Sequence, residues 1–192
     1  RIIGAKSANL DLHFFSENTL RYLFAKNAAD RDVSIIEGVM GYYDGLGLTS
    51  TKASSYEVAQ VTDSPVVLVV NAKGASLSVL AVIQGFLNFA PKSNIRGVLL
   101  NQCSPMAYAA LSKAIEERLG IACYGYLPKM ENCSLESRHL GLVTADEVTD
   151  LKGKMSALAA QVEKTVDLDG LLALSRTAPD LAYNPIELPR RE

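Results

Sequence analysis

The chain has 192 residues, 48% of them hydrophobic and 21% charged, which suits one soluble globular domain with a proper core. A formal net charge of −2, with Arg190 and Arg191 as the one small basic cluster, gives no field to draw it to nucleic acid or anionic lipid. No apolar run reaches the roughly 18–20 residues that span a bilayer, no signal-peptide layout is present, and Cys103, Cys123 and Cys133 lack CxxC spacing, so a reducing cytoplasm fits best.

The first ten residues carry no strand pattern. After Ser16, an N-cap residue, Leu20, Leu23, Phe24 and Asn27 recur at helical spacing. Val33-Ser34-Ile35-Ile36 is short, β-branched and barely alternating, which predicts a strand buried on both faces of a parallel sheet. Ser54 with Glu57 three residues later forms a capping box that opens a helix to about Thr62. A second apolar run, Val66 to Val70, is followed by an amphipathic helix from Ser78 to Phe89. A third run, Gly97 to Leu100, precedes a helix from Ala107 to Leu119 that should stop at Gly120. Ala122 to Tyr126 is a weaker strand, and Glu147 to Lys164 has helical character. Strands alternating with helices of this length imply a doubly wound α/β fold, a mostly parallel sheet with helices on both faces. After Leu174 come three prolines and no period, so residues 177–192 read as a linker leading out of a domain covering 1–176.

Ligands of open α/β sheets bind beyond the carboxyl ends of the strands, which directs attention to four turns. In the first, Glu37 leaves the apolar run and Asp44 follows within a loop containing Gly38, Gly41 and Gly45. Carboxylates are the oxygen ligands that Mg²⁺ prefers, and glycines such as Gly38 let a backbone approach phosphates. The plainer reading is a strand end followed by an Asp-Gly turn. The second turn holds Lys73, Gly74, Ser76 and Ser78 before a helix, an anion site or ordinary capping by Ser76 or Ser78. In the third, Asn101 is able to read an adenine edge with its paired donor and acceptor, or simply to form a turn before Ser104-Pro105. The fourth passes Leu127-Pro128 toward Arg138 and His139, where Arg138 suits a carboxylate or phosphate. Cysteine nucleophilic catalysis is disfavoured: Cys123 lies mid-strand, and neither Cys103 nor Cys133 has a glycine-framed elbow.

Four blocks, taken in order, resemble one family. Glu37-Gly38-Val39-Met40-Gly41-Tyr42-Tyr43-Asp44-Gly45 resembles the EGVMGLYDG signature of cobyrinate a,c-diamide synthases. Pro65 to Gly74 resembles their PVxLVxDAKG segment, Gly97 to Asn101 their GVxxN segment, and Arg138 to Leu142 their RHLGL. The resemblance implies a P-loop domain like dethiobiotin synthetase followed by a glutaminase domain. It implies ATP- and glutamine-dependent amidation of the a and c side chains of a corrinoid, through an acyl phosphate, with Mg²⁺ as cofactor. Position by position, it implies Glu37 as the acid of metal binding and catalysis, Asp44 as a second catalytic acid, and Asn101 as the adenine reader. Gly38 and Lys73 then belong to the nucleotide, and Arg138, His139 and Ser76 to the corrinoid. Two departures stand out, the absence of the phosphate-loop string G-x-x-x-x-G-K-[ST] and of a glutaminase domain; a smaller one is Asn71, where the family favours Asp. This chain is therefore expected to be a partial synthetase domain, inactive alone. A missing central strand would leave exposed ladder edges, which a homodimer or more chain would cover. The rival readings are a partition-type ATPase of the same superfamily, a synthetase for another tetrapyrrole, and a non-catalytic interaction fragment.

Overall fold

The computed structural model describes residues 5–133 and 150–187. Their contacts divide them into two compact units. The first comprises the described residues of 1–66, 92–94 and 172–192; the second comprises those of 67–91 and 95–171.

The first unit is built on α1 (Glu17–Ala28) and α2 (Ser55–Val61). Ser16 caps α1 by accepting from the Thr19 amide, and Glu17 and Lys26 sit at the ends where the helix dipole favours their charges. The helical spacing carries Leu20 to full burial against Val58 and Val61 of α2, with Leu10, Leu12 and Ile36 packed around them. Ser54 caps α2 from a buried position, accepting from Glu57 N at 3.2 Å. The Glu57 carboxylate reaches back to the Ala53 amide rather than to Ser54. The amide of Ser54 is already bonded to Thr51 O, at 3.1 Å, so the capping box closes one residue further out. Beyond Ser175 the chain loses regular structure but stays on α1: Asn18 and Asn184 exchange two hydrogen bonds, of 2.7 and 3.0 Å, and Tyr22 meets Tyr183 edge-on.

The strand expected over Val33–Ile36 is not formed. Among the described residues these have no ladder partner, and they form no regular structure; Ile36 joins the apolar cluster while Ile35 is 90% exposed. Periodicity reports apolar content, whereas a strand also needs a neighbour to take its N–H and C=O groups.

The second unit carries a three-stranded parallel sheet in the order β1 (Val66–Asn71, which begins at the border of the units), β2 (Ile95–Asn101) and β3 (Ala122–Leu127). The crossovers are α3 (Ser78–Asn88) and α4 (Pro105–Leu119), which pack on each other, and helices cover both faces of the sheet. Val98 and Leu100 of β2 and Ile83 and Ile115 of the two crossover helices are fully buried and form the heart of this core. Ser104 caps α4, and Gly120 ends it in the left-handed conformation (φ 67°), as its sequence predicts. The entry to α3 differs from expectation: its N-cap position is Leu77, and neither Ser76 nor Ser78 caps it. Opposite Leu99, β3 gains an extra residue at Tyr124-Gly125. Gly125, at φ 126°, bridges Val166, and any side chain there would strike the Thr165 carbonyl, so only glycine fits. The expected last helix forms as α5 (Leu151–Thr165), capped by Asp150; residues 147–149 lie outside the described residues. A short helix, α6 (Leu168–Ser175), follows. No helix among the described residues is long and apolar enough to cross a membrane.

Candidate active site

In the first unit, the loop from Glu37 to Gly45 presents both acids to solvent. Glu37 makes no hydrogen bond or ion pair among the described residues. The Asp44 amide bonds to Gly41 O at 2.9 Å, closing a tight turn, and its carboxylate folds back over Gly41, where any side chain would overlap it. At the other side, Gly38 lies against Ser55 in the first turn of α2, a side-chain Cβ being only 2.7 Å from Ser55 Oγ. Between the acids stands Tyr42, buried, whose hydroxyl donates to the Ser93 carbonyl and whose own carbonyl accepts from Tyr56 N at 2.9 Å. The rings of Tyr42, Tyr43 and Tyr56 meet at centroid distances of 4.8, 5.9 and 5.1 Å. Burial, then the neighbouring Tyr43 and Tyr56, pushes the Tyr42 phenol well above its ordinary range, so it stays a neutral donor.

The donor set suits a lightly held Mg²⁺. This ion takes one or two carboxylates and completes its shell with phosphate and water, and Glu37 is an exposed carboxylate with no competing partner among the described residues. No group of three or more His, Cys, Asp or Glu side chains able to hold a metal by themselves occurs among the described residues.

In the second unit, the strand ends gather Lys73 and Asn101. The Ala72 amide donates to Asn101 O at 2.8 Å, joining the turn after β1 to the end of β2. The Asn71 side chain accepts from Lys73 N at 3.1 Å, a local turn-closing role that an Asp would serve as well. Lys73 and Ser76 are exposed. The Asn101 side-chain oxygen accepts from Gln102 N at 3.0 Å, which leaves its NH₂ and one lone pair for a ligand. Gln102 follows at φ 55°, an unusual backbone for its type, and turns the chain so that Cys103 N reaches Leu127 O at 3.0 Å. Asn101 thereby borders a cavity of about 490 Å³ with Gln102, Leu127, Pro128, Lys129, Met130, Glu131, Cys133 and Leu158. That volume suits a small organic ligand such as a nucleoside.

Glu37, Gly38 and Asp44 thus share one loop, and Lys73, Ser76 and Asn101 lie in the other unit. Arg138 and His139, with the RHLGL block, lie outside the described residues. Cys123 is core, its thiol pushed up to about 11 chiefly by burial, and Cys103 is buried too. Sequence reasoning missed two things: the tie from Tyr42 to Ser93, and the cavity residues Lys129, Met130 and Glu131. The latter follow Leu127-Pro128, one of the four turns at strand ends, so the rule that pointed to Asn101 pointed also to them.

No protein-family model matches the chain, and no solved structure matches it. Its similarity to curated proteins is extensive. It is 40% identical over 189 residues to a cobyrinate a,c-diamide synthase of Listeria monocytogenes serovar 1/2a, covering 97% of this chain and 42% of that protein. It is 43% identical over 175 residues to one from Caldanaerobacter subterraneus subsp. tengcongensis, covering 91% and 38%. With one from Limosilactobacillus reuteri the identity is 38% over 192 residues, covering 99% and 42%. The resemblance carried by four short blocks therefore extends over nearly the whole chain: these three relatives are cobyrinate a,c-diamide synthases, and the chain spans about two fifths of their length.

Proposed function

We propose that this chain supplies the synthetase chemistry of an ATP- and glutamine-dependent amidation, in which the a and c acetate side chains of cobyrinate become carboxamides in cobalamin biosynthesis. The 40% identity to a named synthase over 97% of the chain carries this reading. In it, residues 1–176 serve as the synthetase domain, 177–192 lead toward a glutaminase domain, and the setting is the cytoplasm.

The chemistry follows from the weak electrophilicity of a carboxylate. A side-chain carboxylate oxygen attacks the γ-phosphorus of ATP, the bond to the β,γ-bridging oxygen breaks, and acyl phosphate and ADP result. Ammonia released from glutamine then adds to the acyl carbon, loses a proton, and expels inorganic phosphate to leave the amide. Phosphoryl transfer needs positioning and charge neutralisation above all. Glu37 is the residue assigned to Mg²⁺, which when bound would offset charge on the phosphates. Asp44 is assigned to the reacting carboxylate and its phosphoryl acceptor oxygen, and Gly38 to close backbone approach. Asn101 reads the adenine edge with the free half of its amide, and Lys73 adds a cation for the nucleotide. Arg138, His139 and Ser76 are assigned to the corrinoid, whose several carboxylates favour a guanidinium partner.

A chimera tests this directly: residues 1–192 replace the matching two fifths of the Listeria monocytogenes relative, and product is followed by mass. Formation of the diamide from cobyrinate, dependent on ATP and glutamine, is the expected result. A folded chimera that hydrolyses ATP but leaves cobyrinate untouched would remove the substrate assignment.

A further inference from the structure

The four-block signature accounts for Glu37 and Asp44 but not for Tyr42, which stands where the family signature has Leu. Its surroundings suggest more than space filling. Tyr42 is 9% exposed, an unusual depth for a loop residue between two solvent-facing acids. It is tied at two points. Its carbonyl accepts from Tyr56 N in the first turn of α2, and its hydroxyl donates to the Ser93 carbonyl.

The second tie ends on a firm support. Asn94 donates from its amide to Ala59 O and Ser64 O, at 3.2 and 3.3 Å, and its carbonyl accepts from Val66 N at 2.9 Å. Gln60 holds Lys92 O at 2.8 Å, and Lys92 pairs with Asp63 at 3.3 Å. Residues 92–94 are therefore bound to the last turn of α2, while Tyr56 belongs to its first. The glycine loop is strapped to both ends of one helix through a single residue, by its carbonyl at one end and its hydroxyl at the other.

We infer that Tyr42 is a positioning residue: the bond from its hydroxyl to Ser93 O holds the Gly41–Asp44 turn and so aims the Asp44 carboxylate at its substrate. The turn closes through Asp44 N and Gly41 O, the residue just before Tyr42, so fixing Tyr42 fixes both ends of it. Three glycines in nine residues would otherwise leave this segment many conformations. A misplacement of about 1 Å at a reacting group costs up to ~10²-fold in rate, so a strap of this kind has kinetic consequences. Burial keeps the phenol protonated throughout the working pH range, so the strap does not switch off. The inference rests on the reading of Asp44 as a catalytic acid.

The test compares Tyr42→Phe with Asp44→Asn in the protein as its gene encodes it. Tyr42→Phe keeps the ring packing and removes only the hydroxyl. The expected result is a kcat lower by about tenfold, with KM for ATP within about twofold and the thermal midpoint nearly unchanged. Wild-type kcat in Tyr42→Phe together with a crippled Asp44→Asn overturns the positioning role and leaves the reading of Asp44 intact. Wild-type kcat in both overturns that reading and this inference with it. A rate loss that disappears when expressed per folded molecule overturns the inference too. Amide exchange on the unmodified protein covers the case of a variant that fails to fold. Asp44 N and Tyr56 N should exchange as slowly as the interior of α2, and exchange at the rate of a free loop overturns the strap.

Discussion

Glu37 illustrates how a residue with no structural duty can be tested cleanly. It is exposed and makes no hydrogen bond or ion pair among the described residues, so replacing it with its neutral isostere removes a charge and breaks nothing else. In the full-length protein, Glu37→Gln should leave the thermal midpoint where it is and lower kcat by about 10²-fold, the scale of losing one well-placed electrostatic group. Calorimetry beside steady-state amidation assays checks both halves, and unaltered turnover would remove Glu37 from the mechanism. Glu37 and Asp44 could be picked out from the chain because acids are chemically distinctive and sat among glycines. Tyr42 could not: a tyrosine beside a tyrosine looks like core or surface equally, and its partner is the backbone carbonyl of Ser93, 51 residues away. A main-chain acceptor leaves no mark in a residue pattern. The same holds for Ser76 and Ser78, either of which could have capped α3, whereas the cap position fell to Leu77 between them.

At the scale of elements, caps decide where helices start; Ser16 and Ser54 were legible as caps in the sequence, whereas Ser104 and Asp150 were not. Ser16, Ser54 and Ser104 all accept from the amide three residues on, because a short hydroxyl side chain in an extended conformation reaches that N–H. They differ in burial, which separates their expected contributions. Ser54 is 1% exposed, so removing its hydroxyl leaves the Glu57 amide without a partner where water has little access. Ser54→Ala should cost about 1–2 kcal/mol, and Ser16→Ala, at an exposed cap, about 0.5 kcal/mol. Urea titrations of both variants measure this as a fall in midpoint at constant slope. Equal losses would show that burial of the cap does not matter here. Strands were less legible than helices for a physical reason. Helices satisfy their own backbone, so local pattern suffices; Val33–Ile36 has the apolar, β-branched makeup of β1 but no neighbour to pair with among the described residues.

The whole molecule combines a fold class that its alternating pattern made clear with a division into two units that it did not. Segments far apart in the chain, including 92–94 and the described part of the tail, join the first unit, and such long-range partnerships have no local signature. The 192 residues contain no G-x-x-x-x-G-K-[ST], the loop whose backbone N–H groups and lysine give a P-loop protein most of its grip on phosphates. The second unit does offer a cavity of about 490 Å³, large enough to admit a nucleoside, with Asn101 on its wall. Binding by these 192 residues should therefore be dominated by the base. Adenosine, ADP and ATP are expected to bind within about threefold of one another, with dissociation constants on the order of 1 mM, worth roughly 4 kcal/mol. Inosine, in which a carbonyl replaces the exocyclic amine, should bind more weakly, because Asn101 would then face an acceptor with its own acceptor. Asn101→Ala should weaken all the adenine ligands alike. Titration calorimetry on a monodisperse sample measures each of these constants. Micromolar ATP binding with millimolar adenosine binding would mean that other groups in the chain hold the phosphates, and Lys73 would be the first residue to replace.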